Sequence, residues 1–132
     1  MQKTIIQTEQ SPAAIGPYSQ AVKLGDMLYC SGQIPLNPKS MKVEAETIEE
    51  QTHQVLKNLM AVLAAAGSSA DMVVKTTCYL SDMANFAQFN EVYSEYLGNS
   101  KPARATIEVA ALPLGVLVEV DAIATCSSDF SY

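Results

Sequence analysis

The residues with the most chemistry at their disposal lie near the end of the chain, in two runs with a period of two. Arg104, Thr106 and Glu108 alternate with Ala105, Ile107 and Val109; Glu119 and Asp121 alternate with Val118, Val120 and Ala122. Such alternation marks strands with one apolar and one polar face. A one-residue slip between paired strands would carry the polar set of one onto the apolar face of the other. As a hairpin, the two runs therefore place Thr106 opposite Glu119 and Arg104 opposite Asp121. One guanidinium, one hydroxyl and two carboxylates would then share a sheet face. Two readings fit that grouping. The first is a cross-strand salt bridge on a solvated face, worth roughly 0.2–1 kcal/mol. The second is a carboxylate-binding site, in which the planar fork of an arginine grips a small acid bidentately and a nearby glutamate accepts a proton or orients water. Periodicity alone does not separate the two.

The rest of the chain supplies the elements that must position these residues. Lys3 to Thr8 reads as a short strand, and Ser11 to Tyr18, broken by Pro12, Gly16 and Pro17, as a loop. Gln20–Leu24 and Met27–Ser31 read as strands about a Gly25-Asp26 hairpin turn. Pro35, Asn37 and Pro38 mark a further loop. Thr47 and Glu50 have capping-box spacing at the head of a helix whose stripe is Val55, Leu56, Leu59, Met60, Val62 and Leu63, with Gly67 as its stop. Val73–Leu80 is strand-like. Asp82 is placed to cap a second helix with Phe86, Phe89, Tyr93, Tyr96 and Leu97 on one face, ending at Gly98. The final strands span about 103–109 and 116–126, joined by a turn holding Pro113 and Gly115. The order β-β-β-α-β-α-β-β predicts an α+β fold, one sheet with both helices on one face and the polar face of the last hairpin turned away from them. A sheet left half covered and still apolar suggests self-association.

Composition narrows the function classes. The 132 residues amount to a single domain, 1–132, with 48% hydrophobic and 17% charged residues, an ordinary globular balance. A net charge of −6 lacks the basic footprint that phosphate backbones attract, so nucleic-acid binding is disfavoured. Cys30, Cys78 and Cys126 form no Cys-x-x-Cys pair, and no metal set is expected. Cys30 and Cys78 suit the core, while Cys126 is expected to be partly exposed. His53 stands alone on its helix and reads as a surface or edge residue. Tyr93 and Tyr96 read as packing rather than a base-stacking platform. No apolar leader or run of ~20 apolar residues is present, and the chain is expected to be reduced and cytoplasmic, with no membrane partner.

Particular stretches carry a resemblance. Gly16-Pro17-Tyr18-Ser19-Gln20-Ala21-Val22, Ser31-Gly32-Gln33-Ile34-Pro35, Asn58-Leu59 before Ala65-Ala66-Gly67, Val74-Lys75-Thr76-Thr77, Phe89-Asn90-Glu91-Val92-Tyr93, Pro102-Ala103-Arg104, Leu112-Pro113 and Val118-Glu119-Val120 occur in this order. Together they resemble the reactive intermediate deaminase family, also called the YjgF family, over essentially the whole chain. The resemblance implies a mixed sheet of the chorismate-mutase-like, YjgF-like kind and a homotrimer with sites between subunits. It implies hydrolysis of 2-iminobutanoate or 2-iminopropanoate, released by pyridoxal-phosphate-dependent dehydratases, to the 2-keto acid and ammonia, with no cofactor. Carried over position by position, Arg104 and Glu119 are the expected catalytic pair. Arg104, Tyr18, Ser31, Gly32, Asn90 and Thr106 are the expected substrate-binding positions. Many close members of the family have cysteine where this chain has Thr106, so a mechanism through a thiol there is closed to it. Within the same resemblance, a single-strand-specific endoribonuclease and a non-catalytic, chaperone-like binder of small carboxylates stand as the alternatives.

Overall fold

The computed structural model describes residues 2–126. Within them lie six strands, β1 (Lys3–Ile6), β2 (Ala21–Leu24), β3 (Met27–Gln33), β4 (Val73–Leu80), β5 (Ala103–Glu108) and β6 (Val118–Thr125), and two α-helices, α1 (Ile48–Ala65) and α2 (Phe86–Leu97). The strands form one sheet in the order β1-β2-β3-β6-β4-β5. Every pairing is antiparallel except β4 with β5, so the sheet is mixed, as the resemblance implies.

Local chemistry accounts for most boundaries. Gly25 has φ +60° in the turn between β2 and β3, the conformation glycine adopts without a Cβ penalty. Strand β1 stops at Ile6 rather than Thr8, because the Thr8 N–H donates to the Gln20 side chain at 2.7 Å instead of to a strand. The Thr47–Glu50 capping box is formed in both directions, and α1 ends ahead of Gly67 at φ +74°. Asp82 caps a 3-10 turn over Met83–Asn85 that leads into α2, rather than α2 itself. Val55, Leu56, Leu59, Val62 and Leu63 of α1 and Phe89 and Leu97 of α2 are fully buried against Leu28, Leu80, Val118, Val120 and Ala124 of the sheet. All three cysteines are buried, Cys126 included, which corrects its expected exposure. His53 braces the helices from outside, bonding Tyr96 at 2.8 Å and facing Glu95 at 3.8 Å.

The last two strands depart from the hairpin expectation. They are not neighbours: β6 inserts between β3 and β4, and β5 pairs in parallel with the far side of β4. Alternate residues of β6 are fully buried, which suits a central strand, whereas β5 exposes most of both faces and takes the edge. A parallel pair needs a crossover, and α2 provides it between β4 and β5. The consequence for the polar residues is direct. Arg104, Thr106 and Glu108 register with Thr76, Cys78 and Leu80, which face the helices. Glu119 and Asp121 register with Tyr79 and Thr77 on the opposite face. The proposed pairs Thr106–Glu119 and Arg104–Asp121 do not form.

Candidate active site

Arg104 rises from the edge strand toward α2. Its Nη1 donates to Asn90 Oδ1 at 2.7 Å. Its Cζ lies 4.8 Å from the Tyr93 ring centroid and 5.5 Å from that of Phe86. Residues 86, 90 and 93 are four and three apart, hence on one helix face. Among the described residues no carboxylate lies within 4.0 Å of the guanidinium, which stays exposed. The salt-bridge reading therefore fails, and the guanidinium has no counter-charge among the described residues. Two residues along the same face, Thr106 Oγ1 is buried with no hydrogen-bond partner among the described residues. The neighbouring Cys78 thiol is pushed up to about 11, chiefly by burial, and stays protonated.

A second group gathers on the other side of the sheet. A Cβ placed on Gly32 would fall 2.9 Å from Glu119 Cδ and closer still to its carboxyl oxygen, so a side chain at this position would displace the Glu119 carboxylate from its present place. The Ser31 hydroxyl donates to the Ser19 carbonyl at 2.5 Å, tying β3 to the loop that carries Tyr18. Gln20 holds that loop in turn, donating to the carbonyls of Thr8, Ser11 and Pro12. Tyr18 is 55% exposed and lines an open groove of about 900 Å³ with Ile5, Ala14 and Lys39. Glu119 is half-buried and its carboxyl is held above the usual range, first by burial and then by the charge of Asp121. Tyr79 donates to Asp121 at 2.9 Å; burial, then that carboxylate, pushes its phenol up to about 12.

The seven residues singled out in the sequence thus fall into two sets. Arg104 and Asn90 meet beneath α2, with Thr106 two residues along the same strand face; Gly32 and Glu119 meet between β3 and β6, and Ser31 ties β3 to the loop that carries Tyr18. One chain does not bring the sets together. Tyr93, expected only to pack, and Phe86, on the same helix face, also set their rings against Arg104, a contact that helical spacing does not reveal. The structural roles of Gln20 and Gln51 left no sequence signal. The Gln51 side chain accepts from Leu117 N at 2.8 Å and donates to the Ala45 carbonyl, fixing the entry to β6.

The family model described as Endoribonuclease L-PSP matches residues 8–126. This chain belongs to that family, which is the YjgF family of the reactive intermediate deaminases. Members of the family differ in their names. A RutC family protein of Pyrococcus horikoshii is 53% identical over 122 residues, 92% of this chain and 97% of the relative. The 2-iminobutanoate/2-iminopropanoate deaminase of mouse is 48% identical over 122 residues, 92% of this chain and 90% of the relative. Among solved structures, E. coli TdcF with bound serine superposes with a TM-score of 0.88 at 39% identity, covering 94% of this chain and 99% of that one. Among the described residues no helix is long and apolar enough to cross a membrane, and no group of three or more His, Cys, Asp or Glu could hold a metal ion.

Proposed function

We propose that this L-PSP family member hydrolyses small 2-imino acids, 2-iminobutanoate and 2-iminopropanoate, to the 2-keto acid and ammonia, at sites completed between copies of the chain in a homotrimer. The observation that carries the proposal is Arg104: a guanidinium braced by one amide and two rings, on a sheet edge, with no carboxylate of its own. Such a fork binds the carboxylate of an imino acid bidentately. Thr106 Oγ1, two residues along the same strand face, is buried and has no hydrogen-bond partner among the described residues, a polar atom still to be satisfied on that side of the sheet. Because Glu119 stands on the opposite sheet face, the glutamate of a site built on Arg104 comes from a second copy, with Tyr18, Ser31 and Gly32 beside it. The mouse deaminase and the serine held by TdcF support this chemistry.

The reaction asks little beyond positioning. The C=N carbon of an iminium is already electrophilic. Water adds to it, a proton passes to nitrogen, and the carbinolamine collapses as the C–N bond breaks and ammonia leaves. A carboxylate held above its usual range suits Glu119 to take the water's proton and return it to nitrogen. The test couples the purified protein to a threonine dehydratase that generates the imine, and follows 2-ketobutyrate release. Arg104→Ala is expected to lower kcat/KM on the order of 100-fold, the worth of two charge-assisted hydrogen bonds; a wild-type rate in that variant refutes the clamp. The endoribonuclease reading is favoured by the description of the family model, but the charge of −6 opposes it. RNA cleavage that persists through purification and is lost in the same variant would restore it.

A further inference from the structure

We infer that Tyr93, pinned through its hydroxyl to Thr76, is the positioning residue that fixes the plane of the Arg104 guanidinium; this rests on Arg104 being the carboxylate clamp proposed above. Arginine on an exposed edge strand has many rotamers open to it. The Asn90 hydrogen bond holds one nitrogen and leaves the group free to swing about that contact. The rings of Phe86, 5.5 Å from Cζ, and Tyr93, nearer at 4.8 Å, limit the swing because the cation is attracted to a ring face, and the nearer ring sets the plane. Four of the five N–H donors remain for a ligand.

The ring is itself immobile. Tyr93 is buried, packs on Phe89 with centroids 5.6 Å apart, and bonds Thr76 Oγ1 at 2.8 Å through its hydroxyl. Thr76 is also the direct strand neighbour of Arg104 in the β4–β5 register. One position on β4 therefore sets both where the arginine leaves the sheet and how the ring that supports it is turned. A ring serving only to fill the core would need no hydroxyl, since a buried hydroxyl requires a partner. Burial is the main cause of the raised Tyr93 phenol, so the ring stays neutral and leaves the charge on Arg104 intact.

The experiment measures the Kd of 2-ketobutyrate by titration calorimetry, and KM and kcat in the dehydratase-coupled assay, on the full chain well below its unfolding temperature. Tyr93→Leu is expected to raise Kd and KM about tenfold with a smaller change in kcat, and Tyr93→Phe, which keeps the ring, to recover most of that loss. Unchanged Kd in folded Tyr93→Leu, or a fall in kcat with Kd unmoved, overturns the inference. Should Tyr93→Leu fail to fold, Thr76→Val serves, with an expected rise in Kd of about threefold that Thr76→Ser reverses; no rise overturns the pin. Failure of the wild-type protein to bind 2-ketobutyrate at all instead overturns the proposed function, and the inference falls with it.

Discussion

Glu119 has a neighbour of its own sign, Asp121, two residues along the same face, and half of it is out of water. Both disfavour its charge, so the folded protein holds the Glu119 proton to a higher pH than the unfolded chain does. As pH rises through that interval, the unfolded state ionises first and stability falls; above the raised value the full penalty applies. Glu119→Gln is therefore expected to raise Tm at neutral pH, with the gain vanishing at pH values below the ordinary glutamate range. Activity shifts in the same sense, with the ionised glutamate acting as base. Asp121→Asn removes the like charge and is expected to move the acid limb of kcat/KM to lower pH, a displacement read directly from a pH–rate profile. The absence of a side chain at Gly32 leaves room for this carboxylate against β3, where a Cβ would force it to shift.

At the scale of elements, α1 does more than cover the sheet. Its buried Asn58 donates to the carbonyls of Ile34 and Leu36, and its Gln51 holds the residue before β6, so the helix indexes the exit of β3 and the entry to β6, the two strands that carry the Glu119 group. Its start depends on the capping box. Thr47 accepts from Glu50 N at 3.1 Å while Glu50 reaches back to Thr47 N at 3.3 Å. Hydrogen bonds from Thr47 hold the Glu50 carboxyl below its usual range, a contribution present at neutral pH and lost as pH falls through the lowered value. Thr47→Ala is expected to cost about 1 kcal/mol, visible as a lower midpoint in urea unfolding with the slope unchanged. The second helix acts on the other half of the site. It is the crossover that makes β5 parallel to β4, and its Phe86–Asn90–Tyr93 face meets the arginine that β5 delivers.

For the whole molecule, the decisive fact is that the two halves of the candidate site lie on opposite faces of one sheet. The face without helices carries Ile5, Leu24, Tyr29 and Ile107, each more than a third exposed, an apolar surface suited to a second copy. Sites shared between copies make a clear prediction. Arg104→Ala and Glu119→Gln, each expected to be strongly impaired alone, are expected to regain activity when unfolded together and reassembled. Random mixing leaves about a quarter of the sites with both residues intact. Light scattering should report three chains per particle throughout. No recovery on mixing would place the site within a single chain.

The elements were legible in the order of the residues, because their signals are local. Capping box, turn glycines and alternating strands each depend on a few neighbouring residues, and the elements formed where these stood. The sequence also drew attention to Arg104 and Glu119, first by an alternation read with a pairing that does not form and then by the family resemblance, which does not depend on that pairing. Strand order is decided by which hydrophobic surface is buried deepest, a competition among all six strands that adjacency in the chain does not reveal. Only the tertiary structure put β6 at the centre and β5 at the edge, turning Arg104 toward α2 and Glu119 away from it. That separation removes the salt bridge and leaves the arginine without a carboxylate partner among the described residues.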